Sequence, residues 1–299
     1  MQNTDSADSW NQEGSITRSG DRTVGFAEYG RRTGTAVLWC HGAPGSRLEP
    51  RRVHERAFEA DFHIAAADRP GYGLSNPQPG RTISDSVEDG LAVLDHLDIE
   101  RFYVVGVSTG GAYALACAAL VPERVLGVVA CCANTDARHP PAREAMHASA
   151  VRAVWDAPDR TRALETARRA LGEDGSKLLN VFELSPSDLA LFGDPTFLAG
   201  VPAAIASQFA HGVEGYTDDR IADRNGWTTF DVSNVRCPVL VLHGSADTVV
   251  DVLNAHYTAR IVPGAKLRIV EGLGHLSIFS EIVPALADLR SAVDARLRT

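Results

Sequence analysis

The stretch Arg101-Phe102-Tyr103-Val104-Val105-Gly106-Val107-Ser108-Thr109-Gly110-Gly111 decides the fold. Its first half is β-branched and aromatic and reads as a short buried strand. The run that follows, Gly111 to Val121, is rich in alanine and leucine and reads as a helix. Between them a serine stands among glycines at a strand-to-helix turn. Glycines permit a tight, strained turn that pushes the hydroxyl out above the sheet, the geometry of a nucleophile elbow. The pentapeptide alone says little, because glycine and small residues co-occur by chance. The strand before it and the helix behind it give it meaning.

A serine hydroxyl needs a histidine to take its proton, and the histidine needs a carboxylate to hold its tautomer. Downstream, the apolar strand Cys237 to Leu242 ends in His243-Gly244-Ser245-Ala246-Asp247. A further strand, Lys266 to Val270, leads into Glu271-Gly272-Leu273-Gly274-His275. Ser108, Asp247 and His275 thus come in the order serine, acid, histidine, each just past its own strand. Upstream, the strand Ala36 to Cys40 runs into His41-Gly42-Ala43-Pro44-Gly45-Ser46. Acyl transfer needs donors fixed around a developing oxyanion. The expected pair is the main-chain N–H of Ala43 and that of Thr109.

With those segments, and with Asp68-Arg69-Pro70-Gly71-Tyr72-Gly73-Leu74-Ser75, the chain resembles the α/β-hydrolase fold superfamily in its esterase-like, proline-iminopeptidase-like and haloperoxidase-like branches. The resemblance spans residues 15 to 133 and 232 to 299. It implies an α/β core with a mostly parallel, doubly wound sheet and a Ser-Asp-His triad, with no metal or organic cofactor. It is a poor guide to substrate, since one fold hosts many chemistries.

Composition sets limits. The 299 residues suit one α/β core plus an insertion, and 44% apolar content suffices for a large core. A net charge of −9 argues against a nucleic-acid partner, which needs clustered Lys and Arg. Met1 to Gly14 is polar, without the basic-then-apolar pattern of a signal peptide. No apolar run reaches the roughly 18 residues that span a bilayer. Cys40, Cys117, Cys131, Cys132 and Cys237 are odd in number and lie in apolar runs. They read as small core residues of a reducing, cytoplasmic compartment, and no zinc-type Cys/His spacing occurs.

Residues 1–14 read as a disordered tail. Ser15 to Tyr29 reads as two strands turning at Gly20-Asp21, and strand–helix alternation continues to residue 133. Thr82 to Leu97 has apolar residues at helical spacing, and Ile278 to Leu297 reads as a closing amphipathic helix. Between them, residues 134–231 contain no convincing strand and read as an inserted helical cap. Trp155, Phe182, Phe192, Phe197, Phe209 and Trp227 could together line an apolar pocket over Ser108, although each singly is expected to pack the cap.

Other residues offer alternatives. Asp136 could supply the acid in place of Asp247, and Asp251 is expected in the next helix, solvated. His41 is expected to fix its loop by a hydrogen bond, His243 to be structural, and Asp68 and Arg69 to pair or cap within their loop. The expected activity is hydrolysis of a carboxylic ester of a small to medium, partly apolar substrate through an acyl-enzyme. Aminopeptidase or amidase chemistry would need a carboxylate for a substrate ammonium, with Glu183, Asp188 and Glu214 placed in the cap as candidates. Carbon–carbon bond hydrolysis and a receptor without turnover use the same fold. The expected partner is a small molecule, with neither nucleic acid nor membrane involved.

Overall fold

Alternation of side chains along the central strands builds the molecule. In strand β3 (Thr35–Cys40), Val37 and Trp39 face one apolar cluster and Leu38 faces another. In β5 (Phe102–Val107), Tyr103, Val105 and Val107 join the first cluster while Phe102 and Val104 join the second. Strands apolar on both faces must be covered on both. Helices α1 (His54–Glu59) and α11 (Ile282–Leu297) cover one side. Helices α2 (Ile83–His96), α3 (Gly110–Leu120) and α10 (Leu253–Ile261) cover the other.

This computed structural model describes residues 12–146 and 148–297. The remaining strands are β1 (Gln12–Arg18), β2 (Arg22–Gly30), β4 (Phe62–Ala67), β6 (Val125–Cys131), β7 (Val239–Gly244) and β8 (Lys266–Val270). They form one eight-stranded sheet in the order β1-β2-β4-β3-β5-β6-β7-β8. Pairing is antiparallel at β1–β2 and β2–β4 and parallel from β4 through β8. This is the α/β-hydrolase architecture expected from the sequence.

Two boundaries move. Residues 12–14 belong to β1, paired with Glu28, Ala27 and Phe26, and are not part of a tail. Polar residues are at home there because an edge strand keeps one side in water. The rest of the expected tail, residues 1–11, lies outside the described residues. The closing helix starts at Ile282, preceded by a tighter 3-10 turn over Ser277–Glu281. Helix α2 starts where expected because Thr82 and Asp85 form a reciprocal capping box.

Between β6 and β7 the described residues form helices and no strand. These are α4 (Pro140–Glu144), α5 (Ser149–Trp155), α6 (Arg160–Leu171), α7 (Pro186–Ala190), α8 (Pro195–Gln208) and α9 (Glu214–Asp223). Of these, α5, α6, α8 and α9 and their flanking turns share a small core that includes Val154, Ala163, Leu171, Phe209 and Tyr216. Among the described residues no single helix is long and apolar enough to cross a membrane. The α7 segment and α8 reach that much apolar sequence only jointly, across a 99° bend.

Candidate active site

The turn between β5 and α3 is as tight as its glycines imply. A Cβ at Gly106 would lie 2.4 Å from the Gly110 carbonyl oxygen, and one at Gly110 would lie 2.0 Å from that of Cys40. Ser108 itself adopts φ +53°, in the left-handed region that most side chains avoid. The surrounding backbone holds it there. Its N–H donates to Cys131, and its carbonyl accepts from the N–H groups of Gly111 and Asn134.

The other two predicted residues meet directly. His275 Nδ1 lies 2.8 Å from Asp247 Oδ2, and Asp247 Oδ1 accepts from the N–H groups of Val249 and Val250. With Nδ1–H donated to the carboxylate, Nε2 is the nitrogen free to accept a proton. Burial opposes the charge on His275, but Asp247 more than offsets it and holds the imidazolium well above the usual histidine range. Burial also opposes charge on Asp247, yet His275 and the donors around it keep its pKa below the usual carboxylate value. Among the described residues the Ser108 hydroxyl makes no hydrogen bond to the His275 ring. The two come to one edge of the sheet through Cys131 and Cys132, whose thiol lies 3.8 Å from the His275 carbonyl. Cys132, Asp247 and His275 are close enough to face a common ion. Burial, however, raises the Cys132 thiol well above its ordinary pKa, so it is a proton donor there and not a thiolate ligand.

The loop after β3 passes against the elbow: a Cβ at Gly42 would lie 3.6 Å from that of Ser108. Half-buried Glu49 anchors this loop, accepting from Gly42 N–H at 3.0 Å and Trp39 Nε1 at 2.7 Å. His41 performs the role expected of it. Nδ1 donates to the Gly42 carbonyl at 2.7 Å and Nε2 accepts from Arg69 N–H at 3.1 Å. Burial, and then Arg69, push its pKa well down, so it stays neutral. The N–H groups of Ala43 and Thr109 find no acceptor among the described residues.

Sequence reasoning missed the contribution of the cap. Asp219 of α9 is fully buried and accepts from Arg69, from Arg81 at 2.6 Å, and from the hydroxyls of Tyr72 and Tyr113 at 2.8 Å each. Burial opposes its charge, but the two guanidiniums prevail and hold it ionised far below the usual range. Asp188 of α7 is equally buried. It accepts from the N–H groups of His275, Leu276 and Ser277 at 2.8–3.0 Å, fixing the histidine loop from above. In sequence Asp219 looks like an ordinary solvated helix charge and Asp188 like a free cap carboxylate, and their partners are far away along the chain.

Of the other expectations, some hold and some change. Asp68 and Arg69 do not pair with each other. Asp68 binds Arg47 and caps the Leu74 N–H, while Arg69 reaches across to Asp219. Asp136 is held by Arg138 and by Trp227 N–H, not by a histidine. Asp251 precedes α10 and accepts from Leu253 N–H. His243 is buried, bonded to the Val250 carbonyl at 2.9 Å, with Asp247 at 3.4 Å. Trp155 donates to Asp223, Phe209 packs inside the cap, and Trp227 packs on the α2–α3 side of the sheet. Phe192 and Phe197 contact each other, with Arg52 over Phe197, and Phe182 packs beside Trp155. Asp188 and Glu214, two candidates for an ammonium site, are already engaged, Glu214 by Arg160.

Sheet order, elbow and Asp–His pair together define an α/β hydrolase. The sequence family described as alpha/beta hydrolase fold matches residues 35–282, and the chain belongs to that family of hydrolases. It is similar to the uncharacterized hydrolase YcgS of Bacillus subtilis, 26% identical over 81% of this chain and 85% of that protein. A probable proline iminopeptidase of Leptolyngbya boryana is 30% identical over 40% of this chain and 37% of that protein. A thermophilic esterase from Thermogutta terrifontis has the same fold, with a TM-score of 0.64 at 21% identity over 94% of this chain and 99% of that one.

Proposed function

We propose that the chain hydrolyses carboxylic esters with Ser108 as nucleophile. The observation that carries the reading is Ser108 held at positive φ on the edge of the sheet where Asp247 and His275 are hydrogen-bonded. Ser108 Oγ attacks the ester carbonyl as His275 Nε2 takes its proton, and the oxyanion is received by the N–H groups of Ala43 and Thr109. The proton passes to the departing alkoxide, leaving an acyl-serine. Water then attacks the acyl carbon, gives its proton to His275, and releases the acid as the proton returns to Ser108. For the amino-terminal peptidase alternative, Asp188 and Glu214 are engaged, which leaves Glu183 as its candidate carboxylate.

The test combines labelling with a substrate panel. A fluorophosphonate should label Ser108, and Ser108→Ala should remain folded, unlabelled and slower by about 10⁶. On p-nitrophenyl esters from acetate to laurate, kcat/KM should peak at short or medium acyl length, because an added methylene gains only about 1–3 kcal/mol until the pocket is full. Labelling that survives in Ser108→Ala, or faster turnover of aminoacyl-p-nitroanilides than of any ester, would overturn the assignment.

A further inference from the structure

Thr109, next to the candidate nucleophile, is gripped by cap and core side chains that the ester mechanism leaves without a task. Arg220 Nη2 donates to Thr109 Oγ1 at 2.5 Å and pairs with Asp223 at 2.7 Å. Asn134 Nδ2 donates to the same hydroxyl oxygen at 3.3 Å. Tyr216 lies one turn before Arg220 on α9, and both side chains are almost fully buried, at 2% exposure. Three buried polar atoms of this group have no partner among the described residues: Arg220 Nε, the Tyr216 hydroxyl and Asn134 Oδ1. Buried polar groups are as a rule hydrogen-bonded, so three exceptions on residues joined to Thr109 directly or, for Tyr216, through the Arg220 guanidinium 5.6 Å from its ring mark a place for a polar ligand.

The charges around this place identify the ligand's sign. Three buried guanidiniums, Arg69, Arg81 and Arg220, face two carboxylates, Asp219 and Asp223. Asp223 is the weaker counterion, since burial outweighs Arg220 and Trp155 and pushes it up to about 6. Glu214 and Asp218 are paired with Arg160, whereas Glu49, bonded by the neutral donors of Trp39 and Gly42, lies within the field of Arg69. A buried guanidinium whose Nε–H has no partner among the described residues, as in Arg220, is costly unless an acceptor arrives.

We propose that Arg220, Tyr216 and Asn134 form a subsite for a carboxylate carried by the substrate, so that half-esters of dicarboxylic acids are preferred over neutral esters. This deepens, and rests on, the ester-hydrolase reading of Ser108. Arg220 Nε–H and the Tyr216 hydroxyl donate to the carboxylate oxygens. A turn of the Asn134 amide presents its Nδ2 to the ligand while Oδ1 accepts from the Thr109 hydroxyl. The chain's net charge of −9 repels anions at long range, so general attraction cannot produce such a preference.

The test compares kcat/KM for p-nitrophenyl hydrogen adipate and p-nitrophenyl hexanoate, which share an acyl chain, with fluorophosphonate labelling run on the same preparation. The charged ester should be favoured at least about tenfold, the scale of one charge-assisted hydrogen bond. Arg220→Met should bring the ratio to about one, and Tyr216→Phe, which keeps the ring, should lower it about threefold or more. Should Arg220→Met fail to fold, calorimetric binding of adipate to Ser108→Ala, weakened by Tyr216→Phe, reads the subsite without turnover. Equal rates on the two esters, no adipate binding, or a preference that ignores both α9 substitutions would overturn the proposal and leave water as the occupant. Failure to label Ser108 would instead sink the hydrolase reading, and adipate binding alone would then decide the subsite.

Discussion

Two opposing effects meet on the His275 proton: burial expels charge, and the Asp247 carboxylate invites it. The carboxylate prevails, so the imidazolium persists above the usual histidine range. As the proposed base, His275 must be neutral, so kcat/KM should rise with pH through an inflection above 6.5. Asp247→Asn removes the attraction and leaves the burial. The inflection should then move down while kcat falls about 10⁴, since the amide favours the wrong tautomer. Asp136→Asn should leave the inflection in place, because Asp136 serves Arg138 and Trp227. A pH–rate series on p-nitrophenyl acetate distinguishes the two, and exchanged phenotypes would move the acid to the end of β6. The same proton is linked to stability. His275, with a raised folded pKa, contributes stability that is full below about 6.5 and is lost as pH rises through the folded value.

Among the elements, α7 does more than its five residues suggest. Its Asp188 accepts three consecutive N–H groups of the His275 loop and the hydroxyl of Ser277. Asp188→Ala leaves those donors buried and unpaired, at a cost of about 1–3 kcal/mol for each that finds no water. We expect kcat to fall more than KM changes, with faster amide exchange over residues 274–277 and partial rescue by Asp188→Asn, whose carbonyl still accepts. Unchanged exchange in Asp188→Ala would remove α7 from the mechanism. Little of this was legible in the sequence. Ser108, Asp247 and His275 were, because each follows an apolar strand in a glycine-marked turn whose local pattern carries the signal. Asp188, Asp219 and Arg220 lie on helices with polar neighbours, and only the docking of those helices separates a buried charge from a solvated one. The same lack of local signal explains Asp68 and Arg69, adjacent in sequence yet committed to partners on different elements.

For the molecule as a whole, Asp219 joins cap to core. Its depressed pKa means that its contribution to stability is present above about 3.8 and is lost only as pH falls through its lower folded value. Asp219→Asn leaves Arg69 and Arg81 facing a neutral group and should cost about 3–5 kcal/mol in urea unfolding at neutral pH. A loss under about 1 kcal/mol would show that the tyrosines and packing suffice. The insertion between β6 and β7 has a consequence of its own. Those strands pair directly, from Val128 with Val239 to Cys131 with Leu242, so about a hundred residues leave the sheet and return one strand-spacing away. Closing such an excursion costs entropy only logarithmically, roughly 0.6 kcal/mol for each doubling of length. In closure entropy alone, doubling or halving the segment above the site therefore changes stability by less than the burial of a single methylene, about 0.8 kcal/mol. What a replacement must reproduce is two carboxylates, placed where Asp188 and Asp219 now stand.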